Sequence, residues 1–131
     1  MKIVEDKILL VDDEKDVRDM LRLSLSAMGY DVLEAEDGVQ AISIFKEAHP
    51  LIILTDIKMP GMDGIELLQA IKHENPEAEV IMITGHGDMD LAIKSLKYEA
   101  TDFVAKPINL DALKIALKRV QDRIIIRKQL N

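Results

Sequence analysis

The sequence contains no cysteine. That excludes disulfides, thiolate metal sites and cysteine nucleophiles, and it agrees with a reducing compartment. Positive charge is scarce: 17 Lys and Arg stand against 24 Asp and Glu, for a formal net charge of -7. Such a surface repels nucleic acid and anionic lipid, so neither is an expected partner. Long apolar runs are missing too. None approaches the roughly 18 residues of a membrane helix, and the opening Met1-Lys2-Ile3-Val4-Glu5-Asp6-Lys7 has no apolar signal-peptide core. The expected location is the cytoplasm. No Gly-rich phosphate loop ends in Lys-Ser or Lys-Thr, so nucleotide hydrolysis is unsupported. No repeat, low-complexity stretch or second domain is visible.

What is present suits one soluble domain: 131 residues, 48% hydrophobic and 31% charged. Five short apolar runs recur, Ile8-Leu9-Leu10-Val11, Val32-Leu33, Leu51-Ile52-Ile53-Leu54, Val80-Ile81-Met82-Ile83 and Phe103-Val104-Ala105. Four are rich in branched residues, as buried parallel strands are. Segments with helical spacing follow them: Val17, Met20, Leu21, Leu25, Met28; Ala41, Ile42, Phe45, Ala48; Ile65, Leu67, Leu68, Ile71; Leu91, Ala92, Ser95, Leu96; and Leu110, Leu113, Leu117, Val120. Gly29 reads as a helix stop, Pro50 precedes the third strand, Asn75-Pro76 closes the third helix, and Asp88 and Asn109 read as N-caps. Five βα units with right-handed crossovers give an α/β three-layer sandwich around a parallel sheet.

Ligands of such sheets bind at the carboxyl ends of the strands, beside the switch in strand order. The residues expected there are all polar: Asp12 and Asp13 after the first strand, Asp56 after the third, Thr84 after the fourth, and Lys106-Pro107 after the fifth. Singly each has a bland explanation. Either Asp12 or Asp13 can be an N-cap, Thr84 can simply finish a strand, Lys106 can be a solvated lysine, and Asp56 can open the turn before Pro60-Gly61. Together they carry more. Carboxylates a few ångströms apart repel one another unless a hard cation or a lysine neutralises them, and an oxygen-only donor set suits Mg²⁺.

Asp12-Asp13, Asp56 followed by Met59-Pro60-Gly61-Met62-Asp63-Gly64, Thr84-Gly85 and Lys106-Pro107 resemble the signature of response-regulator receiver domains, over roughly residues 5 to 120. The resemblance implies a flavodoxin-like, doubly wound (βα)5 fold with strand order 2-1-3-4-5. It implies that Asp56 is the phosphoacceptor, taking a phosphoryl group from a histidine kinase, a phosphotransfer protein or a small acyl phosphate. Asp13 and Asp56 would hold Mg²⁺ directly, with the Lys58 backbone carbonyl, and Asp12 would act mainly through water. Lys106 and the Thr84 hydroxyl would bind phosphoryl oxygens. Thr84 and Phe103 would form the switch that alters the face of the fourth helix, fifth strand and fifth helix. Ordinary core packing is the other reading of Phe103, which has no hydroxyl and can switch only by packing. The expected product is a signalling switch with slow self-dephosphorylation, not a conventional turnover enzyme.

His86 and Lys58, two positions beyond Thr84 and Asp56, are expected to tune phosphoryl lifetime, with a solvated loop histidine as the alternative for His86. Ala100 stands where many relatives carry glycine, and Gly85-His86-Gly87 suggests a mobile loop. The domain is expected over residues 1–120, and 121–131 as an extension of the last helix. Leu113, Leu117, Val120 and Ile124 continue its pattern, so the extension reads as a coiled-coil linker to an output domain, a dimerisation segment, or a frayed tail. Among rivals, a flavodoxin needs a Ser/Thr/Gly-rich loop where Asp12-Asp13-Glu14 stands. A haloacid-dehalogenase-type phosphatase needs an acid at position 58, which is Lys58. The remaining alternative is a phosphorylation-independent pseudo-receiver, a binding module that keeps the fold without the chemistry.

Overall fold

Each apolar run becomes a strand and each periodic segment a helix. A computed structural model describes residues 3–130. Met1 and Lys2 of the expected 1–120 unit, and Asn131 of the expected extension, lie outside the described residues. The elements run β1 (Lys7–Val11), α1 (Lys15–Ala27), β2 (Asp31–Ala35), α2 (Gly38–Ala48), β3 (Ile52–Asp56), α3 (Gly64–Glu74), β4 (Glu79–Thr84), α4 (Met89–Lys97), β5 (Asp102–Ala105) and α5 (Leu110–Leu130). The sheet is parallel throughout, in the order β2-β1-β3-β4-β5. The chain starts at β1, winds outward to β2, then crosses back to β3, so β1 and β3 flank the switch in strand order.

Because strand side chains alternate between faces, the central strands feed two cores. Leu9, Ile53, Val80 and Met82 pack on one face with Phe45, Leu67, Leu68 and Ala92. Ile8, Leu10, Ile52, Leu54, Ile81 and Ile83 pack on the other with Leu21, Leu25, Leu117 and Val120. Every residue of β3 and β4 is buried. Fully burying each such side chain stabilises the fold by roughly 1.5–3 kcal/mol before chain entropy is counted. The polar ends of these strands are therefore fixed to a rigid scaffold.

Helix ends are set locally. Asp37 accepts from the Gln40 backbone N–H to cap α2, and Asp63 with Glu66 forms a capping box at α3. Asn109 accepts from the backbone N–H groups of Asp111 (2.9 Å) and Ala112 (3.1 Å), as expected of an N-cap. Gly29, at φ +103, ends α1 in a conformation that disfavours a Cβ. Asp88 departs from expectation. It sits at the N-cap position of α4, but its carboxylate makes no capping hydrogen bond. It pairs instead with the Lys58 ammonium at 2.9 Å, a charged partner that outcompetes neutral backbone donors. Nor does Ala100 need glycine's freedom: the positive φ before β5 falls on Glu99, at +72.

The last helix runs 21 residues. Gln121 and Ile124 are buried against the domain, and Arg127 donates to the Glu77 carbonyl at 2.8 Å and to the Glu79 carboxylate at 2.9 Å. Through Arg127 the helix is thus tied to the body of the domain. Lys128, Gln129 and Leu130 are exposed.

Candidate functional site

Parallel strands present all their carboxyl ends on one edge, and there the chemistry converges. Asp12 follows β1 and Asp56 ends β3, the strands flanking the switch. Thr84 ends β4, and Lys106 follows β5. Asp12, Asp13, Glu14 and Asp56 each bring a carboxylate oxygen within 4.8 Å of the others. Close packing beneath them helps to place Asp56. Gly64, at the start of α3, donates to the Ile57 carbonyl at 2.7 Å, and a Cβ on it would collide with the Asp56 carbonyl oxygen.

Lys106 reaches into this cluster. Its ammonium lies 2.9 Å from Asp56 Oδ2, 3.2 Å from Glu14 Oε1 and 3.6 Å from Asp12 Oδ2. The last distance is a charge contact and not a hydrogen bond. Among the described residues, Asp12 Oδ2 accordingly has no hydrogen-bond partner in a fully buried side chain, while Asp12 Oδ1 accepts from the Glu14 backbone N–H at 2.9 Å.

Three of the four carboxylates, those of Asp12, Glu14 and Asp56, share the Lys106 ammonium, and the proton affinities follow. Burial raises the pKa of Asp12; the Glu14 N–H pulls it down, and the charges of Asp56 and Asp13 push it up again. Burial likewise raises Asp56, against the hydrogen bond and charge of Lys106. Burial alone would lower Lys106, but its bond to Asp56 and the surrounding negative charge outweigh that and raise it. The directions have different main causes: burial disfavours the charged forms of Asp12 and Asp56, whereas the neighbouring carboxylates favour the charged form of Lys106. The donor set fits a hard divalent cation. It is all oxygen, one oxygen is buried and unpaired, and the charge to be neutralised is present.

The other expected residues take definite places. Lys58 follows β3 with its side chain exposed and bridged to Asp88. Thr84 is buried, its hydroxyl making only a long 3.4 Å contact to the Gly85 carbonyl. Phe103 is half-buried and packs against the core cluster that also holds Ala92 of α4. His86 is exposed.

A family model described as the response regulator receiver domain matches residues 8–118. The chain belongs to the response-regulator receiver-domain family. Among its relatives, sporulation initiation phosphotransferase F of Bacillus subtilis is 35% identical over 89% of this chain and 94% of its own. The probable transcriptional regulator ycf27 of Porphyridium aerugineum is 37% identical over 92% of this chain, and the regulatory protein AtoC of Escherichia coli is 34% identical over 95%. This chain spans about half of the former and about a quarter of the latter, 50% and 27%. Among solved structures, a receiver domain protein from Clostridium thermocellum superposes with a TM-score of 0.86 at 35% identity, over 95% of this chain and 98% of that one. The receiver domain of NtrX from Brucella abortus gives 0.84 at 36% identity, over 88% and 98%.

Two features of this receiver domain escaped the reading of the sequence. Glu14 joins the acidic cluster and competes for Lys106, a possibility signalled only by the run Asp12-Asp13-Glu14. The Lys58–Asp88 bridge links the loop after β3 to the start of α4, and no local pattern announces it.

Proposed function

We propose that Asp56 accepts a phosphoryl group in a Mg²⁺-dependent reaction, from a phosphohistidine on a histidine kinase or phosphotransfer protein or from a small acyl phosphate. The observation that carries this reading is the undercompensated cluster: a buried Asp12 oxygen, unpaired among the described residues, in a group of four carboxylates of which Lys106 contacts three. Asp13, Asp56 and the Lys58 backbone carbonyl hold the cation, with Asp12 acting mainly through water. When bound, Mg²⁺ offsets negative charge between the carboxylates and the incoming phosphoryl group.

An Asp56 carboxylate oxygen attacks phosphorus. The bond from phosphorus to the donor's imidazole nitrogen breaks, its electron pair leaves with that nitrogen, and an acyl phosphate remains on Asp56. Lys106, already 2.9 Å from Asp56 Oδ2, shifts its hydrogen bond to a phosphoryl oxygen as a point charge. The Thr84 hydroxyl gives up little, since its contact to Gly85 is long, and turns to another phosphoryl oxygen. Its movement opens space beside Phe103, and the face of α4, β5 and α5 changes. Met89, Ile93 and Leu96 are exposed on α4, apolar surface suited to a partner. Residues 121–131 serve as the extension toward an output domain in cis or a second copy, in keeping with the longer chains of the ycf27 and AtoC relatives, of which this chain spans 50% and 27%. The protein is then a cytoplasmic signalling switch that dephosphorylates slowly, not a turnover enzyme.

Intact mass after incubation with acetyl phosphate tests this. Mg²⁺ should add one phosphoryl group, EDTA should prevent it, and Asp56→Asn should abolish it. No gain, even with the cognate kinase, would favour the pseudo-receiver reading.

A further inference from the structure

The acidic turn after β1 has to present Asp12 and Asp13 to Asp56, yet a short turn between strand and helix does not hold its own peptide planes. Among the described residues, three hydrogen bonds hold Asp12, beside the 3.6 Å charge contact of Lys106. Its backbone N–H donates to the Ala35 carbonyl of β2 at 3.2 Å, its Oδ1 accepts from the Glu14 N–H at 2.9 Å, and its carbonyl accepts from Arg18 Nη1 at 2.7 Å. Only the third comes from a side chain. Arg18 stands one turn into α1, with its own N–H bonded to the Glu14 carbonyl at 3.0 Å, so the helix that begins at the turn also carries the group that grips it.

The guanidinium is not a loose surface charge. The Arg18 side chain is 14% exposed, and its Nε lies 3.7 Å from Glu34 Oε1 on β2. Glu34 is steadied from its other side by Arg22, whose Nη1 lies 3.4 Å from Glu34 Oε2. A cation covered to this extent, aimed at a backbone carbonyl, orients the Asp12-Asp13 peptide. We propose that Arg18 is a positioning residue for the divalent-cation site, holding the Asp12-Asp13 turn so that its carboxylates converge with Asp56. The proposal rests on the Mg²⁺ reading above.

Charge and geometry predict opposite signs for its removal. A positive charge near the site weakens cation binding, so a purely electrostatic Arg18 would give tighter Mg²⁺ binding when neutralised. A positioning Arg18 gives weaker binding, as loss of outer-shell support typically costs 10–100-fold in metal affinity.

The test is calorimetric titration of Mg²⁺ into wild type, Arg18→Gln, Arg18→Lys, Glu34→Gln, Arg22→Gln and Asp13→Asn, with melting curves recorded in EDTA. Arg18→Gln should bind Mg²⁺ about tenfold more weakly, at the lower end of that range because the two backbone contacts of Asp12 remain. Arg18→Lys, which keeps the charge and reaches the carbonyl less well, should fall between it and wild type. Glu34→Gln should weaken binding less than Arg18→Gln, and Arg22→Gln should stay within about twofold of wild type. Melting temperatures in EDTA should not follow the order of Mg²⁺ affinities, as they would if the role were merely structural. Should Arg18→Gln fail to fold, Arg18→Lys and Glu34→Gln decide the matter on their own. Unchanged or tighter binding in the Arg18 variants, while wild type binds and Asp13→Asn does not, overturns the Arg18 proposal alone. Absence of Mg²⁺ binding in wild type overturns both it and the reading on which it rests.

Discussion

Two fully buried carboxylates sit at opposite ends of the same sheet, Asp12 at the carboxyl edge and Glu79 at the amino edge, and their surroundings differ in kind. Glu79 accepts from Arg123 Nε at 2.7 and 3.1 Å, from Arg127 Nη2 at 2.9 Å and from the Thr101 hydroxyl at 2.7 Å. Asp12 has one backbone N–H on Oδ1, and for Oδ2 only a lysine 3.6 Å away that it shares with Asp56 and Glu14. At equal burial, the first carboxylate is compensated by two guanidinium groups and fastens the last helix to the sheet. The second is left short of positive charge. Burial identifies neither role; the balance of partners does.

The contrast can be broken most forcefully at Glu79. Removing one partner of a buried ion pair typically costs 3–5 kcal/mol, but Arg123 and Arg127 are 55% and 25% exposed and can turn to water. Glu79→Ala should therefore destabilise the domain by about 2 kcal/mol, lowering its melting temperature by roughly 8 °C. Urea unfolding would measure it, and a loss below about 0.5 kcal/mol would show that this end behaves as an ordinary surface pair.

At the other end, the missing charge should be supplied from solution. Mg²⁺ at ten times its dissociation constant should stabilise wild type by about 1.4 kcal/mol and leave Asp13→Asn unmoved, as read from melting curves with and without EDTA.

A smaller effect of opposite sign is expected from Asp12→Asn in EDTA at pH 7, a gain in stability, since it removes a buried charge that Lys106 neutralises only in part. Its pH dependence follows from the raised pKa. As pH rises past 3.8 the unfolded Asp12 releases its proton before the folded one does, so the wild type loses stability between 3.8 and the higher folded value. Asn does not titrate, so the advantage of the variant should appear across that window, persist at neutral pH and vanish below about 3.8. A constant difference from pH 3 to 7 would mean that packing, and not charge, separates the two.

The smallest expected effect sets the baseline. Lys118 and Asp122 pair at 2.8 Å on exposed turns of α5. Lys118→Ala should change stability by only about 0.3 kcal/mol, close to the resolution of a melting experiment.

Much of this was legible in the sequence. Ile8 to Val11 and Val80 to Ile83 are apolar runs of strand length, and Leu21 with Leu25 shows helical spacing. Each pattern acts within a few residues, so a linear reading recovers it. The polar residues at the strand ends were legible for a related reason: once the elements alternate, a parallel sheet must deliver Asp12, Asp56, Thr84 and Lys106 to one edge. Asp88 shows where such reading fails. Its position before α4 marks a cap, but Lys58, thirty residues earlier, captured the carboxylate. Glu79 likewise reads as an unremarkable acid ahead of a strand, and its partners lie 44 and 48 residues away.

The sequence by itself determined the alternation of strands and helices, the Asn109 cap, and which side chains reach the functional edge, because periodicity and turn chemistry are short-range. Only the tertiary structure decided which carboxylate is neutralised and which is left short of positive charge. That outcome depends on burial and on distances between 2.7 and 3.6 Å among residues far apart in the chain, where a low local dielectric makes each missing partner count.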